Sequence, residues 1–152
     1  MPKITIRPGK NNRAVYRHIK RMPAKVRRGI QNAMLEMKKE LKKTAIEDMK
    51  KPKHGRLYFV YVGKGGKRLK RGRWHRASRK GESPAILTGA LSKSINSRIK
   101  YGSLLTFGAN TPYARKHELG GRRYLLRAIS QRRGEIKNWF RRELEKELCS
   151  LA

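Results

Sequence analysis

The feature that most constrains the fold is an apolar seam in the first third of the chain. Apolar residues recur every three or four positions between residues 26 and 49, which is the spacing of one face of an α-helix. Members of the seam are Val26, Ile30, Ala33, Met34, Met37, Leu41, Ala45 and Met49. A helix of about 25 residues extends about 38 Å, and Pro23 and Pro52 lie just beyond its two ends. The seam therefore predicts a long helix that needs a second layer to cover its apolar face.

A second apolar seam with helical spacing occupies the C-terminal part of the chain. Its members are Leu125 or Leu126, Ile129, Ile136, Phe140 with Trp139, Leu144 and Leu148. The stretches Ser94 to Lys100 and Ser103 to Gly108 have the composition of two strands that pair through a turn at Tyr101-Gly102. The sequence therefore predicts an α+β fold in which two long helices pack on a small antiparallel sheet.

Shorter elements complete this prediction. An N-terminal arm, residues 1–22, contains a short alternating strand at 3–7 and a short helix that starts at Asn11-Asn12 and ends at Ile19. A short helix from Tyr113 to Leu119 follows Thr111, which we expect to act as its N-cap. At 152 residues the chain is predicted to form a single domain over residues 1–152. We expect one core to contain Met37, Leu41, Leu91, Ile95, Ile129, Ile136 and Phe140.

Residues 56–76 predict a projecting β-hairpin with a strongly basic tip. The run from Leu57 to Val62 is β-branched and aromatic, and a glycine-rich turn separates it from a second, basic strand. Aromatic residues are interleaved with cations, as in surfaces that hold phosphates and stack on bases. We therefore predict a contact surface for a polyanion or for a neighbouring subunit, formed by Lys64, Lys67, Arg68, Lys70, Arg71, Arg73 and Arg76. The alternative is a solvated basic edge that deters aggregation.

The charge of the whole chain favours a polyanionic or acidic partner. Lysine and arginine number 41 against 10 acidic residues, which gives a net charge of +31. So large a charge of one sign repels itself unless a counter-surface is present. The sequence has no apolar run long enough for a transmembrane helix, and no membrane contact is predicted.

No motif for catalysis or for a cofactor stands out in the sequence. The four histidines lie far apart, without the spacing of metal ligands, and the single cysteine excludes an intrachain disulfide. His117 and Glu118 are adjacent, so a helix would point their side chains apart. The turn Gly63-Lys64-Gly65-Gly66-Lys67 lacks the spacing of a phosphate-binding loop. We therefore predict a protein that is not an enzyme and that has no cofactor.

Three segments together carry a resemblance to a known family. The first, residues 75–85, reads His-Arg-Ala-Ser-Arg-Lys-Gly-Glu-Ser-Pro-Ala; the second, 88–95, reads Thr-Gly-Ala-Leu-Ser-Lys-Ser-Ile; the third, 113–120, reads Tyr-Ala-Arg-Lys-His-Glu-Leu-Gly. In this order they resemble segments of the neck, or tail-completion, proteins of tailed bacteriophages, over roughly residues 24–148. Motif positions expected to be structural are Gly81, Glu82, Pro84, Thr88, Gly89, Leu91, Ile95, Tyr113, Glu118 and Gly120.

The resemblance implies a function by assembly rather than by catalysis. It implies a small α+β subunit of the virion that forms a six- or twelvefold ring between portal-side proteins and the tail. Double-stranded DNA in the lumen, or an acidic neighbouring ring, would then suit the basic hairpin. The chain departs from the family at residues 122–126, where Arg-Arg-Tyr-Leu-Leu replaces a proline-rich segment. The alternative function is a free basic protein that coats DNA or RNA, and the charge taken alone favours this alternative.

Overall fold

A long helix is the largest element of the fold, as the first apolar seam predicts. A computed structural model describes residues 3–5, 20, 22–100 and 104–149. Helix α1 spans Ala24–Lys50, directly after Pro23 and shortly before Pro52. The seam faces inward: Ala33, Leu41 and Ala45 are completely buried. Two polar residues, Thr44 and Asp48, are buried on the same side of the helix.

The main sheet has three antiparallel strands, and the last of them along the chain, β5 (Leu104–Ala109), lies between the other two. Strand β4 spans Ile95–Lys100 and pairs with β5, Leu104–Ala109, with Ile95 opposite Ala109. Strand β1, Lys3–Thr5, pairs with the other edge of β5 and confirms the first part of the predicted N-terminal strand. The rest of that strand, the predicted helix from Asn11 to Ile19 and the turn at Tyr101-Gly102 lie outside the described residues.

The C-terminal seam forms two helices rather than one continuous helix. Helix α4 spans Leu125–Arg132 and α5 spans Ile136–Cys149, with a 3₁₀ turn at Arg133–Glu135 between them. Arg132 bonds with its side chain to Thr44 at 2.9 Å and to Glu135 at 2.7 Å. The bond to Thr44 joins this region to α1, whereas the bond to Glu135 lies within the turn. Gly134, inside the turn, has the lowest helix propensity of any residue except proline. Fold class α+β is confirmed, with the second long helical layer divided at this turn.

One hydrophobic core lies between α1, the C-terminal helices and the sheet. Of the predicted core residues, Met37, Leu41, Leu91 and Ile95 are buried in it, while Ile129, Ile136 and Phe140 are partly buried against it. Trp139, rather than its neighbour Phe140, is the buried aromatic residue of α5. Phe107 and Tyr124, which were not among the predicted core residues, are completely buried. Of the two alternatives for the C-terminal seam, Leu125 is buried and Leu126 is 41 % exposed.

A short helix precedes strand β4. Helix α2 spans Ala90–Ser94, and the Thr88 hydroxyl accepts the Ala90 N–H at 3.2 Å. Gly89 precedes it with a φ of 81°, a left-handed conformation that suits glycine. Ile95 begins β4 instead of continuing the helix.

The predicted cap of the short helix after β5 is wrong. Helix α3 spans Ala114–Leu119, and the backbone carbonyl of Thr111, not its side chain, accepts the Ala114 N–H at 3.1 Å. The Thr111 hydroxyl is buried without a hydrogen-bond partner. A turn that precedes the helix therefore satisfies this N–H through the main chain, which leaves the hydroxyl no part in capping.

Candidate functional site

The predicted basic hairpin is present as a separate two-stranded sheet. Strand β2 spans Leu57–Val62 and β3 spans Arg68–Arg76, joined through a 3₁₀ turn at Lys64–Gly66. The hairpin contains no acidic residue. Its seven candidate contact residues are all exposed, and none forms an ion pair with any residue that the structure describes: Lys64, Lys67, Arg68, Lys70, Arg71, Arg73 and Arg76.

The two faces of the hairpin differ in their surroundings. Phe59 lies opposite Trp74 in the ladder, so their side chains share one face, and Tyr61 joins them two residues along the strand. The Phe59 ring packs edge-to-face with both neighbours, at centroid distances of 5.4 Å to Tyr61 and 5.2 Å to Trp74. We call this the outer face of the hairpin, with the members Leu57, Phe59, Tyr61 and Trp74, which are between 45 % and 69 % exposed.

A glycine of β3 fixes the position of the aromatic cluster. A Cβ atom at Gly72 would lie 2.3 Å from the Phe59 ring, so the ring lies directly on the backbone of the opposite strand. Any other residue at this position would push the ring away. The outer face is therefore a defined arrangement of rings rather than a set of independent exposed side chains.

The inner face of the hairpin lies toward the central loop, residues 77–89. Three hydrogen bonds join them. The Ala77 N–H donates to the Arg56 carbonyl at 2.9 Å, the Gly65 N–H donates to the Thr88 carbonyl at 2.8 Å, and the Arg73 guanidinium donates to the Leu87 carbonyl at 3.2 Å. Between hairpin and loop is a cleft of about 520 Å³. Its lining includes Tyr58 and His75 of the hairpin, Thr88 and Gly89 of the loop, and Tyr113, His117 and Arg122 beyond β5.

The polar side chains of the cleft include tyrosine and histidine rings and one cation, Arg122. Burial, and next the charge of Arg73, lower the pKa of His75 below its ordinary value. Burial, followed by the charges of Arg122 and Lys116, likewise lowers the pKa of His117. Both shifts favour the neutral imidazole, and the residues that line the cleft include no carboxylate to pair with the two rings.

No group of three or more His, Cys, Asp or Glu side chains within the described residues is arranged to hold a metal ion. None of the helices in this part of the chain is both long and apolar enough to cross a membrane.

Two carboxylates hold the central loop in place. Glu82 accepts the Arg79 N–H at 2.8 Å and contacts His54 Nδ1 at 2.7 Å. These partners, the Arg79 N–H first, lower the pKa of Glu82 from 4.5 to about 2. Asp48, at the end of α1, accepts the hydroxyl of Ser83 and pairs with Arg127 at 3.2 Å. Burial alone would raise the pKa of Asp48, but the Ser83 and Lys51 hydrogen bonds and the charge of Arg127 lower it overall.

The sequence analysis missed Asp48. Its side chain is only 3 % exposed, although it belongs to a highly charged helix. A signal was available: Asp48 stands on the apolar side of the seam, next to Met49 and three residues after Ala45. An acidic residue on a buried face needs partners, because burial of an unpaired charge is costly.

Glu118 holds the start of α4. One of its oxygens accepts the N–H groups of Tyr124 at 3.1 Å and Leu125 at 3.3 Å, and the other accepts that of Leu126 at 3.0 Å. The N-terminal N–H groups of a helix have no partner within the helix, so this carboxylate acts as a cap supplied by another element. Its neighbour His117 lines the cleft, which confirms that the two side chains point apart.

The remaining motif residues lie around the same region. Gly81 donates its N–H to the Gly121 carbonyl at 2.8 Å, and its own carbonyl accepts a hydrogen bond from Arg127. Pro84, Leu91 and Ile95 are buried. Gly120 ends α3 with a 2.8 Å hydrogen bond to the Lys116 carbonyl. The structure thus brings the ten motif residues into one region, whereas the seven basic residues lie on the hairpin.

Comparison with known proteins gave no match to a family model, to a curated protein or to a solved structure.

Proposed function

We propose that this chain is a structural subunit of a tailed-bacteriophage virion, which forms a ring in the neck and joins head to tail. The observation that carries the proposal is the convergence of the three family-like segments. They are separated in sequence, yet residues 75–85, 88–95 and 113–120 all contribute to the lining of one cleft. Three family-like segments that are separate in sequence but meet in space are a stronger sign of common architecture than any one short motif.

Structural roles of the motif residues support the proposal. The two motif carboxylates hold loops and a helix end: Glu82 bonds to the backbone of the central loop, and Glu118 caps α4. Neither is left available for acid–base chemistry on a substrate. Residues with these roles maintain the local structure of the loop and the helix end. A subunit that functions by assembly requires such a fixed structure.

The expected partners follow from the surface. A closed ring of six or twelve copies would pack one surface of each copy against a different, complementary surface of the next copy. Portal-side and tail proteins would contact the two sides of the ring. The seven basic residues of the hairpin would face double-stranded DNA in the lumen or an acidic neighbouring ring. In this account the protein is assembled in the host cytoplasm and resides in the virion.

A second candidate is a free protein that coats DNA or RNA. The observation that favours it is the exposure of all seven hairpin cations without an ion-pair partner among the described residues. This candidate needs no ring and no neighbouring virion protein.

One pair of charge variants separates the two candidates. The hairpin variant replaces Lys67, Arg68, Lys70 and Arg71 with glutamine. The control variant makes the same change at Lys38, Lys39, Lys42 and Lys43 of α1, which removes the same charge from another surface. Each phosphate that the protein neutralises contributes about −0.9 to the slope of log affinity against log salt, so four lost contacts should reduce its magnitude by up to about 3.6.

The readouts are DNA titration at several salt concentrations and electron micrographs of assembled particles. If the proposal is right, the hairpin variant yields intact heads and tails that join poorly, while the control variant joins them normally. Normal joining by a hairpin variant that has lost its affinity for DNA would instead favour the free nucleic-acid-binding protein.

A further inference from the structure

The outer face of the hairpin makes no contribution to the hydrophobic core. Phe59, Tyr61 and Trp74 are 50 %, 53 % and 69 % exposed, and no core residue belongs to either strand of the hairpin. The inner face already provides the hydrogen bonds that hold the hairpin on the central loop. Adjacent exposed rings of this kind mark a surface that contacts another molecule.

The charge around this face defines the partner. The hairpin carries eight lysines and arginines and no acidic residue. Nine of the ten acidic side chains of the chain are already engaged in ion pairs or hydrogen bonds within it: Glu36, Glu40, Asp48, Glu82, Glu118, Glu135, Glu143, Glu145 and Glu147. A second copy of the same chain therefore offers little negative charge to neutralise the hairpin. The complementary partner is a polyanion that also presents flat apolar surface.

We propose that the outer face binds single-stranded nucleic acid. Unpaired bases would stack on Trp74, the most exposed ring, and on the rings of Phe59 and Tyr61, while the lysines and arginines of the hairpin contact the phosphates. Base–aromatic stacking of this kind is tolerant of sequence, because every base has a flat face. A duplex shows only the edges of its bases in the grooves, so it gains the phosphate contacts without the stacking. The inference does not depend on the proposed role in the virion.

The test measures the affinity of the full chain for labelled oligo(dT), beside a duplex of equal length and polyglutamate. Trp74→Ala and Phe59→Ala remove rings of the outer face. Tyr58→Ala is the matched control, since it removes a ring from the inner face of the same strand. We expect Trp74→Ala to weaken oligo(dT) binding by about 5- to 150-fold, the factor that corresponds to one lost stack. The salt dependence of binding should stay unchanged, because no cation is lost.

Trp74 also supplies an optical signal. The chain has two tryptophans, and Trp139 is only 5 % exposed, so Trp74 dominates quenching of fluorescence from the solvent side. Oligo(dT) should quench the parent and the Tyr58→Ala variant but not Trp74→Ala, and polyglutamate should quench none of them. Duplex or polyglutamate binding as tight as that of oligo(dT) would overturn the proposal, the latter in favour of an acidic protein surface. Unchanged affinity for oligo(dT) in both outer-face variants would also overturn it.

Discussion

Removal of the Glu118 carboxylate should be among the most destabilising single changes in this chain. Three N–H groups at the start of α4 donate to it. Two of these hydrogen bonds, from Tyr124 and Leu125, are buried, so water cannot replace the lost acceptor; the third, from Leu126, is accessible in part. A buried donor left without a partner costs about 1–3 kcal/mol. Two such donors predict a loss of about 4 kcal/mol for Glu118→Ala.

The loss is measured by urea denaturation and by thermal unfolding. A chain of this size loses about 2–4 °C in Tm for each kcal/mol, so Glu118→Ala should lower Tm by roughly 8–16 °C. Glu118→Gln keeps one oxygen that accepts hydrogen bonds, and we expect an intermediate loss of about 1–2 kcal/mol.

Glu145→Ala is the matched control for this variant. Glu145 is 65 % exposed and pairs with Arg141 at a distance of 3.9 Å. Because exposed pairs contribute little, its loss should change stability by no more than about 0.5 kcal/mol. If Glu118→Ala were as stable as Glu145→Ala, Glu118 would not be the cap of α4.

Two further predictions concern the core and the central loop. Leu41→Ala should cost about 2–5 kcal/mol in a urea titration, because Leu41 is completely buried, whereas Leu35→Ala on the same helix, at 45 % exposure, should cost far less; equal losses would refute the phase of α1. The pKa of Glu82 is lowered from 4.5 to about 2, so its contribution to stability is complete above pH 4.5 and is lost as the pH falls toward 2. Unfolding midpoints at about pH 5 and about pH 3 should therefore fall less in Glu82→Gln than in the parent, and equal falls would count against the role of Glu82 in the loop.

The parts of the fold with strong periodicity could be predicted from sequence. The seam from Val26 to Met49 has one helical interpretation, and the alternation in residues 94–109 indicates paired strands. These patterns reflect which side of an element is buried. A buried side brings an apolar residue at every turn of a helix or at every second residue of a strand. The hairpin was predictable for a different reason, since a glycine-rich turn separates two strand-like runs.

Contacts between distant residues could not be predicted in the same way. The position of Thr111 predicted it as a helix cap, but no local pattern indicates that Glu118 caps a helix several residues away. Similarly, no local pattern indicates the hydrogen bond between Arg132 and Thr44, which are 88 positions apart; this bond joins the break at Arg133–Glu135 to α1. Tyr58 and Phe59 are neighbours in sequence but differ in their surroundings, because only the inner face, which carries Tyr58, lies toward the central loop. The sequence does not indicate which face this is.

The copy number of this chain in purified phage particles tests whether it is a ring subunit of the neck. Quantitative mass spectrometry of tailed particles, calibrated with labelled peptides of this chain, measures copies per particle, and antibody labelling locates them. A ring subunit of the neck predicts a fixed number, six or twelve, at the junction of head and tail. Absence of the chain from the particles, or a copy number that rises with the length of the packaged DNA, would contradict the proposed function.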